Sequence, residues 1–561
     1  MQPRRGVILV VVLVVIVLLT LAVFTFSKFM LAQRRATNTT LRQTQARLLT
    51  ESGIEYLRAI LLYDQWTILE LGGLYDNPNE FCGHIVTDGT ISLSGFAAGT
   101  QSVYNPDQRD VGRFSIIAPA LSEEGLLAGE YLRYGLEDES AKLNLRWVLQ
   151  MDIEQPGSGR MILMRLPGID EVIADSILDW IDGRSDEPRE FGAKDEYYTS
   201  LDPPYYTRNS IPDSLDELLL VRGVTPKLLY GIDWNRNGII DLGEPNEFSL
   251  DEYGVADGSL NLGLISYLTL DSRESMLTPD GLDKINVNMD DLSELQELLE
   301  ERFEELGVDS SWASYIISYR RPENSNQEEP NTGDAGLGDI VSNLLTGNSP
   351  GTAGETDGKI KSFFDLVGGQ GSPFADDTDE MIEYMPVLYD NLMISDTPAV
   401  GRININQTPR TILELFGAQE DELSETALLA STAMDELMGT TFSQMNMWEI
   451  IDSIIAYRIS NPYVIAAEAP EMGYPFWVYT QGIITDLSVM KQLEPYFCTQ
   501  GAVFKATVIG RFDERSPVSR MEAWIDASEG GRLPKIIRIR DISELGPGYS
   551  AELLGADLYA R

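Results

Sequence analysis

The chain has 561 residues, enough for roughly two to four domains, and its 43% hydrophobic content supports packed cores. Its 88 acidic residues against 42 basic ones give a formal charge of −46, which repels phosphate backbones and argues against general nucleic-acid binding. The single histidine, His84 in FCGHIV, gives no support to a multi-histidine metal site or a Ser-His-Asp triad, and it reads as structural.

Residues 1–6, MQPRRG, form a short basic leader, and an apolar run follows from Val7 to Phe26, broken only by Thr20 and Thr25. At about 1.5 Å per residue such a run matches the ~30 Å core of a bilayer. Arg4 and Arg5 favour a cytoplasmic N-terminus, with everything after Lys28 outside. The run is longer than a signal-peptide h-region, and no small-x-small cleavage site follows it. After Pro3 the next proline is Pro78. Leu49, Gly53, Tyr56, Leu57, Ile60 and Leu61 recur at three- and four-residue spacing and mark one buried face. Arg34, Arg35, Arg42 and Arg47 fill the polar stretch between. The spacing predicts a helix of ~60 residues within 7–70 that leaves the membrane and enters a folded domain.

This N-terminus resembles the type IV pilin and type II secretion pseudopilin class. The resemblance implies that a prepilin peptidase cuts between Gly6 and Val7, and that the apolar helix packs with those of other subunits in a filament. Most of the class carry a glutamate at the fifth mature position, where this chain has Val11. In that departure it resembles the minor pseudopilin K family of the type II secretion system. A carboxylate in an apolar core costs ~2.5–3.5 kcal/mol unless paired, and a subunit with none above it has no amine to pair with. The resemblance therefore implies the filament tip. It also implies a single-pass inner-membrane protein with its head in the periplasm, whose partners are other minor pseudopilins and the inner-membrane secretion platform.

Gly72 and Gly73 end the helical pattern. Over 71–140, Ile85–Val86, Thr90–Leu93, Arg113–Ile117 and Glu130–Leu136 are short β-type runs. Three more follow near the end, over Ala502–Gly510, Val518–Ile525 and Lys535–Ile539, and they predict a meander. Residues 71–140 and 501–561 are expected to share one sheet packed on the long helix, as a pilin-like α/β head.

Between them lies a mostly helical insertion that repeats itself. The cue Lys142-Leu143-Asn144-Leu145 recurs as Lys284-Ile285-Asn286-Val287-Asn288 and as Arg402-Ile403-Asn404-Ile405-Asn406. Similar helices follow at 176–181, 314–320 and 453–458, then SLDELLLVRGVT at 214–225, KSFFDLVGG at 361–369 and YPFWVYTQG at 474–482. These divide the insertion into units at 141–283, 284–401 and 402–500, with a mobile loop expected at 323–360. The stretches EDESAKLNL at 137–145, DWIDGRSDEP, DEYYTSLDPPY and SLDELLLVRGVT carry the resemblance to the minor pseudopilin K family into the first unit. The fold class is α+β: an N-terminal transmembrane helix, a pilin-like head and a large insertion with helix-hairpin-helix-like repeats.

DWNRNGIIDLGE at 233–244 has the twelve positions of a calcium loop. Asp233, Asn235 and Asn237 stand at positions 1, 3 and 5, the Ile239 carbonyl at 7, Asp241 at 9 and Glu244 at 12. Pro245 interrupts the exit helix, so the expectation is a rigidifying calcium ion rather than a helix-opening sensor. Asp182, Asp186, Glu187, Asp195 and Glu196 form a second acidic group, read as a solvated loop more readily than a cation site. LPGIDEVIADSILDWI at 166–181 and LVRGVTPKLL at 220–229 resemble helix-hairpin-helix units, but Asp170 and Glu171 would repel DNA, so nucleic-acid binding is not expected. Cys82 and Cys498 are open to a disulfide or to two buried thiols.

The reading is a non-enzymatic structural subunit that caps a type II secretion pseudopilus and helps start its assembly. The alternatives are a membrane-anchored helix-hairpin-helix DNA receptor and a minor pilin of a type IV pilus.

Overall fold

The computed structural model describes residues 5–87, 90–91, 111–121, 127–231, 233, 236–237, 263–321, 358–369, 371–395, 397, 399–416, 447–461, 470–512, 516–529, 533–550 and 553–554. Helix α1 runs from Arg5 to Ile60, 56 residues without a break. Its two halves live in different surroundings. From Leu9 to Leu31 the apolar side chains are exposed all round, whereas Ala46, Leu49, Ile54, Tyr56, Leu57 and Ile60 are buried. The helix stops short of Gly72 because a competing cap intervenes. Asp64 accepts hydrogen bonds from the Thr67 amide and hydroxyl, at 2.9 and 2.7 Å, and starts a new helix, α2, at Gln65–Glu70. Leu61 therefore sits just past the helix end, half-buried.

The buried half of α1 lies on an eight-stranded sheet. Its strands are β1 (His84–Thr87), β2 (Thr90–Ile91), β3 (Gly112–Leu121), β4 (Leu127–Arg133) and β5 (Glu137–Asp138), with β12 (Val503–Arg511), β13 (Ser519–Asp526) and β14 (Lys535–Asp541) from the far end of the chain. The order is β14-β13-β12-β3-β1-β2, with β4 on β3 and β5 on β12. The C-terminal meander is present, and β3 and β12 join the two ends of the chain antiparallel, Thr507 opposite Ile117.

Ile54, Leu57, Phe114, Val508, Met521, Ala523 and Ile525 form the core between helix and sheet. The approach is close enough to require glycine. A Cβ on Gly510 would lie 2.3 Å from the Ala46 carbonyl oxygen, and one on Gly53 would lie 2.5 Å from Val508. Thr50 completes the seam by donating to the Ala46 carbonyl and to the Ser519 carbonyl across it. All of β13 is buried, on both faces. Arg520, Glu522 and Trp524 on its other face meet Tyr549, Lys505 and Arg538.

The insertion between β5 and β12 has its own core, one cluster running from Leu143 to Phe497. Three two-residue parallel pairs punctuate it. β6 (Leu143–Asn144) pairs with β7 (Leu268–Thr269), β8 (Ile285–Asn286) with β9 (Leu392–Met393), and β10 (Ile403–Asn404) with β11 (Phe497–Cys498). Each recurring Lys/Arg-Leu/Ile-Asn cue is thus an opening strand. Its asparagine plays the same part in all three. Asn144, Asn286 and Asn404 accept from the backbone N–H two residues on, at 2.8, 2.8 and 3.0 Å. In the second and third segments a buried arginine then grips that strand. Arg320 Nε donates to the Val287 carbonyl, and Arg458 donates to the matching Ile405 carbonyl. The first segment has Ile181 at the matching place and is held together differently.

Of the loop expected at 323–360, residues 323–357 lie outside the described residues. Its last three residues have no regular secondary structure but are anchored. Ile360 is fully buried, and the Gly358 carbonyl accepts from Arg320.

Candidate functional site

Two features stand out for function: the bare apolar half of α1, and the first segment of the insertion with its anchor to the sheet. Gly6, Val7 and Val11 all fall inside α1, and Val11 is 55% exposed. Among the described residues this is one helix long and apolar enough to cross a membrane.

The insertion leaves and rejoins the sheet at the EDES stretch. Glu137 lies 3.1 Å from both Lys142 and Lys505, and Lys505 also reaches Glu522 at 3.2 Å. Burial pushes the Glu137 carboxyl up, but Lys142 and Lys505 beside it hold it at about 2. Its contribution to stability is therefore present above the ordinary glutamate range and is lost as pH falls towards 2. Asp138 faces the other way. One carboxylate oxygen accepts from the Ser140 amide at 2.8 Å, and the other accepts from Asn404 Nδ2 at 2.8 Å and the Gly501 amide at 2.7 Å. A single buried side chain thus ties β5 to the opening strand of the third segment and to the return into β12.

Within the first segment, Asp175, Asp179 and Asp182 recur at four- and three-residue spacing along the helix Glu171–Ile181 and its cap, and all are buried. Arg160 binds Asp175 in a fork, 2.7 and 2.6 Å. Arg189 is shared by Asp152, Asp179 and Asp182 at 2.7, 2.8 and 2.9 Å. Backbone amides occupy further lone pairs: Gly157 and Gly159 on Asp152, Arg189 on Asp179, Phe191 on Asp175. The hydrogen bond from Arg184, with Arg189 behind it, holds the Asp182 carboxyl well below the usual range, whereas burial pushes Asp179 up. With its carboxylates bonded to arginines and amides, this cluster is built as a lock rather than as an acid–base pair.

Residues 141–232, the region organised by this lock, match the family model described as Type II secretion system (T2SS), protein K. In this segment the chain is similar to the type II secretion protein K family. A 56-residue stretch is 45% identical to the type II secretion system protein K of Aeromonas hydrophila. That stretch is 10% of this chain and spans 17% of the relative's length.

The matched segment also decides the fate of the other expected features. The acidic group at 182–196 does not converge. Asp182 is taken by two arginines, Asp195 accepts from Thr207, and Asp186 and Glu187 are exposed. Both hairpin-like helix starts are filled by their own side chains, Asp170 accepting from the Ile173 amide and Thr225 from the Leu228 amide. A phosphate would have to displace them.

Of the twelve-residue loop, Asp233 and Asn237 are described, while Asn235, Ile239, Asp241 and Glu244 lie outside the described residues. Asp233 accepts from the Asn237 amide at 3.0 Å across the turn, and Arg236 between them has a left-handed φ of 54°. Asn237 Nδ2 donates to the Gly548 carbonyl at 2.7 Å, and Tyr549 donates to the Asn237 carbonyl. The loop therefore begins on the C-terminal segment.

Cys82 and Cys498 are both free thiols. Cys82 lies beside the Leu553 carbonyl, and Cys498 is buried in β11. The residues that sequence reasoning misses are Asp138, Asp152, Asp175, Arg160 and Arg189. One signal points to the cluster of the first segment, and none to Asp138: Asp175 and Asp179 on the largely apolar helix Glu171–Ile181, with Asp182 at its cap, must turn inward to meet cations.

Proposed function

We propose that the chain is a minor pseudopilin that caps the tip of a type II secretion pseudopilus and helps start its assembly. The observation that carries this reading is α1: a bilayer-length apolar helix, bare on every side, that passes unbroken into the core of the sheet. A bare helix of this kind has its natural partners in lipid and in the apolar helices of other subunits. The apolar Val11 at the fifth position after Gly6 suits a subunit with none above it, since a carboxylate there would have no amine to pair with. In this reading prepilin peptidase cuts between Gly6 and Val7. The N-terminus starts in the cytoplasm, the sheet is a pilin-like head in the periplasm, and the insertion is the bulk that blocks further addition. Other minor pseudopilins and the inner-membrane platform are the partners.

The test uses the chain recovered from its native membrane and from assembled filaments. Mass spectrometry is expected to find a start at Val7, and labelling is expected to place the chain at filament ends. An intact Met1, or labelling along the filament length, would overturn the reading.

The loop at 233–244 is proposed to hold one calcium ion through Asp233, Asn235, Asn237, Asp241, Glu244 and the Ile239 carbonyl. The described part fits, because Asp233 is already turned across the loop by the Asn237 amide. When bound, calcium supplies cross-links between oxygen ligands, with no chemistry of its own. Saturating calcium is expected to raise the melting temperature of the full chain by several degrees, and chelator to reverse it. A melting temperature indifferent to both would sink the assignment.

A further inference from the structure

Charge is distributed along this chain with unusual polarity. Seven of its 42 basic residues and none of its 88 acidic residues lie in positions 1–50. Arg4 and Arg5 precede the apolar run, and Lys28, Arg34, Arg35, Arg42 and Arg47 follow it. Lys28, Arg35 and Arg42 stand seven residues apart, two helical turns each, so they line one side of α1. Along that line the surroundings change. Arg42 lies 4.5 Å over the Phe512 ring at the foot of the sheet, and Arg47 pairs with Glu51. Lys28, Arg34 and Arg35 are exposed, and among the described residues none of the three forms an ion pair.

With the N-terminus in the cytoplasm, as proposed above, these three cations sit on the side of the membrane where basic residues are ordinarily scarce. Short flanks within ~15–20 residues of a span carry their Lys and Arg on the cytoplasmic side. Here the flank on the head side carries more of them than Arg4 and Arg5 supply on the other. They therefore do not serve orientation. Their position fits a ligand instead. Lys28 adjoins Phe29 and lies ~3 Å beyond Phe26 along the helix, inside a head-group layer ~5–8 Å deep, and Arg34 and Arg35 lie ~12–14 Å beyond Phe26, from where their long side chains, leaning back toward the helix N-terminus, reach the outer edge of that layer. Apolar side chains continue to Leu31, interleaved with the first cation.

The geometry points to a binding surface for anionic phospholipid head groups formed by Lys28, Arg34 and Arg35, immediately outside the apolar span. The surface fixes how deep the helix sits and keeps the head at a set height above the lipid. The assignment rests on the proposed function only for which leaflet is involved.

The test reconstitutes the full chain in nanodiscs of phosphatidylglycerol and phosphatidylcholine and measures the lipid that stays bound, by native mass spectrometry. Each interfacial cation favours anionic lipid by about fivefold. The native chain is expected to retain phosphatidylglycerol at least about fivefold above its bulk share, and less in high salt. The triple variant Lys28→Gln, Arg34→Gln, Arg35→Gln is expected to fall to the bulk ratio with an unchanged melting temperature, whereas Arg4→Gln, Arg5→Gln keeps the enrichment. A native chain at the bulk ratio, or a triple variant that keeps its enrichment, overturns the assignment. A start at Met1 would overturn the proposed function and leave this result standing, so the two fail separately.

Discussion

Replacing Arg189 with methionine is expected to destabilise the first segment of the insertion by about 3–5 kcal/mol, the usual cost of stranding buried charge by removing its partner. One guanidinium serves Asp152, Asp179 and Asp182, whose side chains are 5%, 1% and 7% exposed. Asp152 would keep its two glycine amides, and Asp182 would keep Arg184. Asp179 would keep only the amide of residue 189, so the loss concentrates there. Lysine at 189 should recover only part, because a point charge cannot reproduce a fork that reaches three carboxylates. Hydrogen exchange on the helix Glu171–Ile181 in the full chain reads the effect directly.

The pH dependence has a definite sign. Asp182 is depressed in the folded chain, first by Arg184 and then by Arg189, so its stabilisation is present above the ordinary aspartate range and is lost as pH falls. Asp179 is pushed up by burial even with Arg189 in place. Without Arg189 both carboxyls titrate higher. The gap between native chain and variant should then be widest near neutrality and shrink as pH drops towards 4. A gap constant over that range would mean that the loss is one of packing, not of ion pairing.

Whatever repeats locally is legible in the order of the residues. The face Leu49, Gly53, Tyr56, Leu57 and Ile60 has a helical period, and it is the face against the sheet. The three Lys/Arg-Leu/Ile-Asn cues are short strands because each asparagine closes a turn on its own neighbour two residues on. Partnership at a distance is not legible. Asp152 and Arg189 are 37 residues apart, and Asp138 and Asn404 are 266 apart. With 88 acidic residues, no pairing of this kind is marked by composition. Local patterns also mislead where two local rules compete. Apolar periodicity continues through Leu61, Ile68 and Leu69, but the Asp64–Thr67 cap wins and ends α1 at Ile60. The acidic group at 182–196 looks open in sequence because nothing in the order of residues puts Arg184 and Arg189 on Asp182.

Asp138→Ala should have the second large effect, about 3 kcal/mol, and it should act on the joint between sheet and insertion rather than on either alone. The substitution leaves three buried donors without an acceptor: Asn404 Nδ2 and the amides of Ser140 and Gly501. Each costs ~1–3 kcal/mol, less what water regains. The space cannot simply close, because Gly501 already packs against Ser140, and a Cβ there would come within 2.2 Å of the serine hydroxyl. Asparagine at 138 keeps one acceptor oxygen and should cost less than half as much. The location makes the result diagnostic. Asp138 is in β5, paired with Phe504 of β12, and Asn404 opens the third segment on β10. If this carboxylate couples the two bodies, the alanine variant should show faster exchange in β10 and β11 and at the start of β12 together, with the first segment's helix Glu171–Ile181 unaffected. That pattern would explain why the EDES stretch precedes the first repeat cue and has no counterpart before the other two. It belongs to the attachment of the insertion, which happens once. Exchange that rises in β12 alone would mean that Asp138 serves only the sheet edge, and the insertion would then be held by Glu137, Lys142 and Lys505.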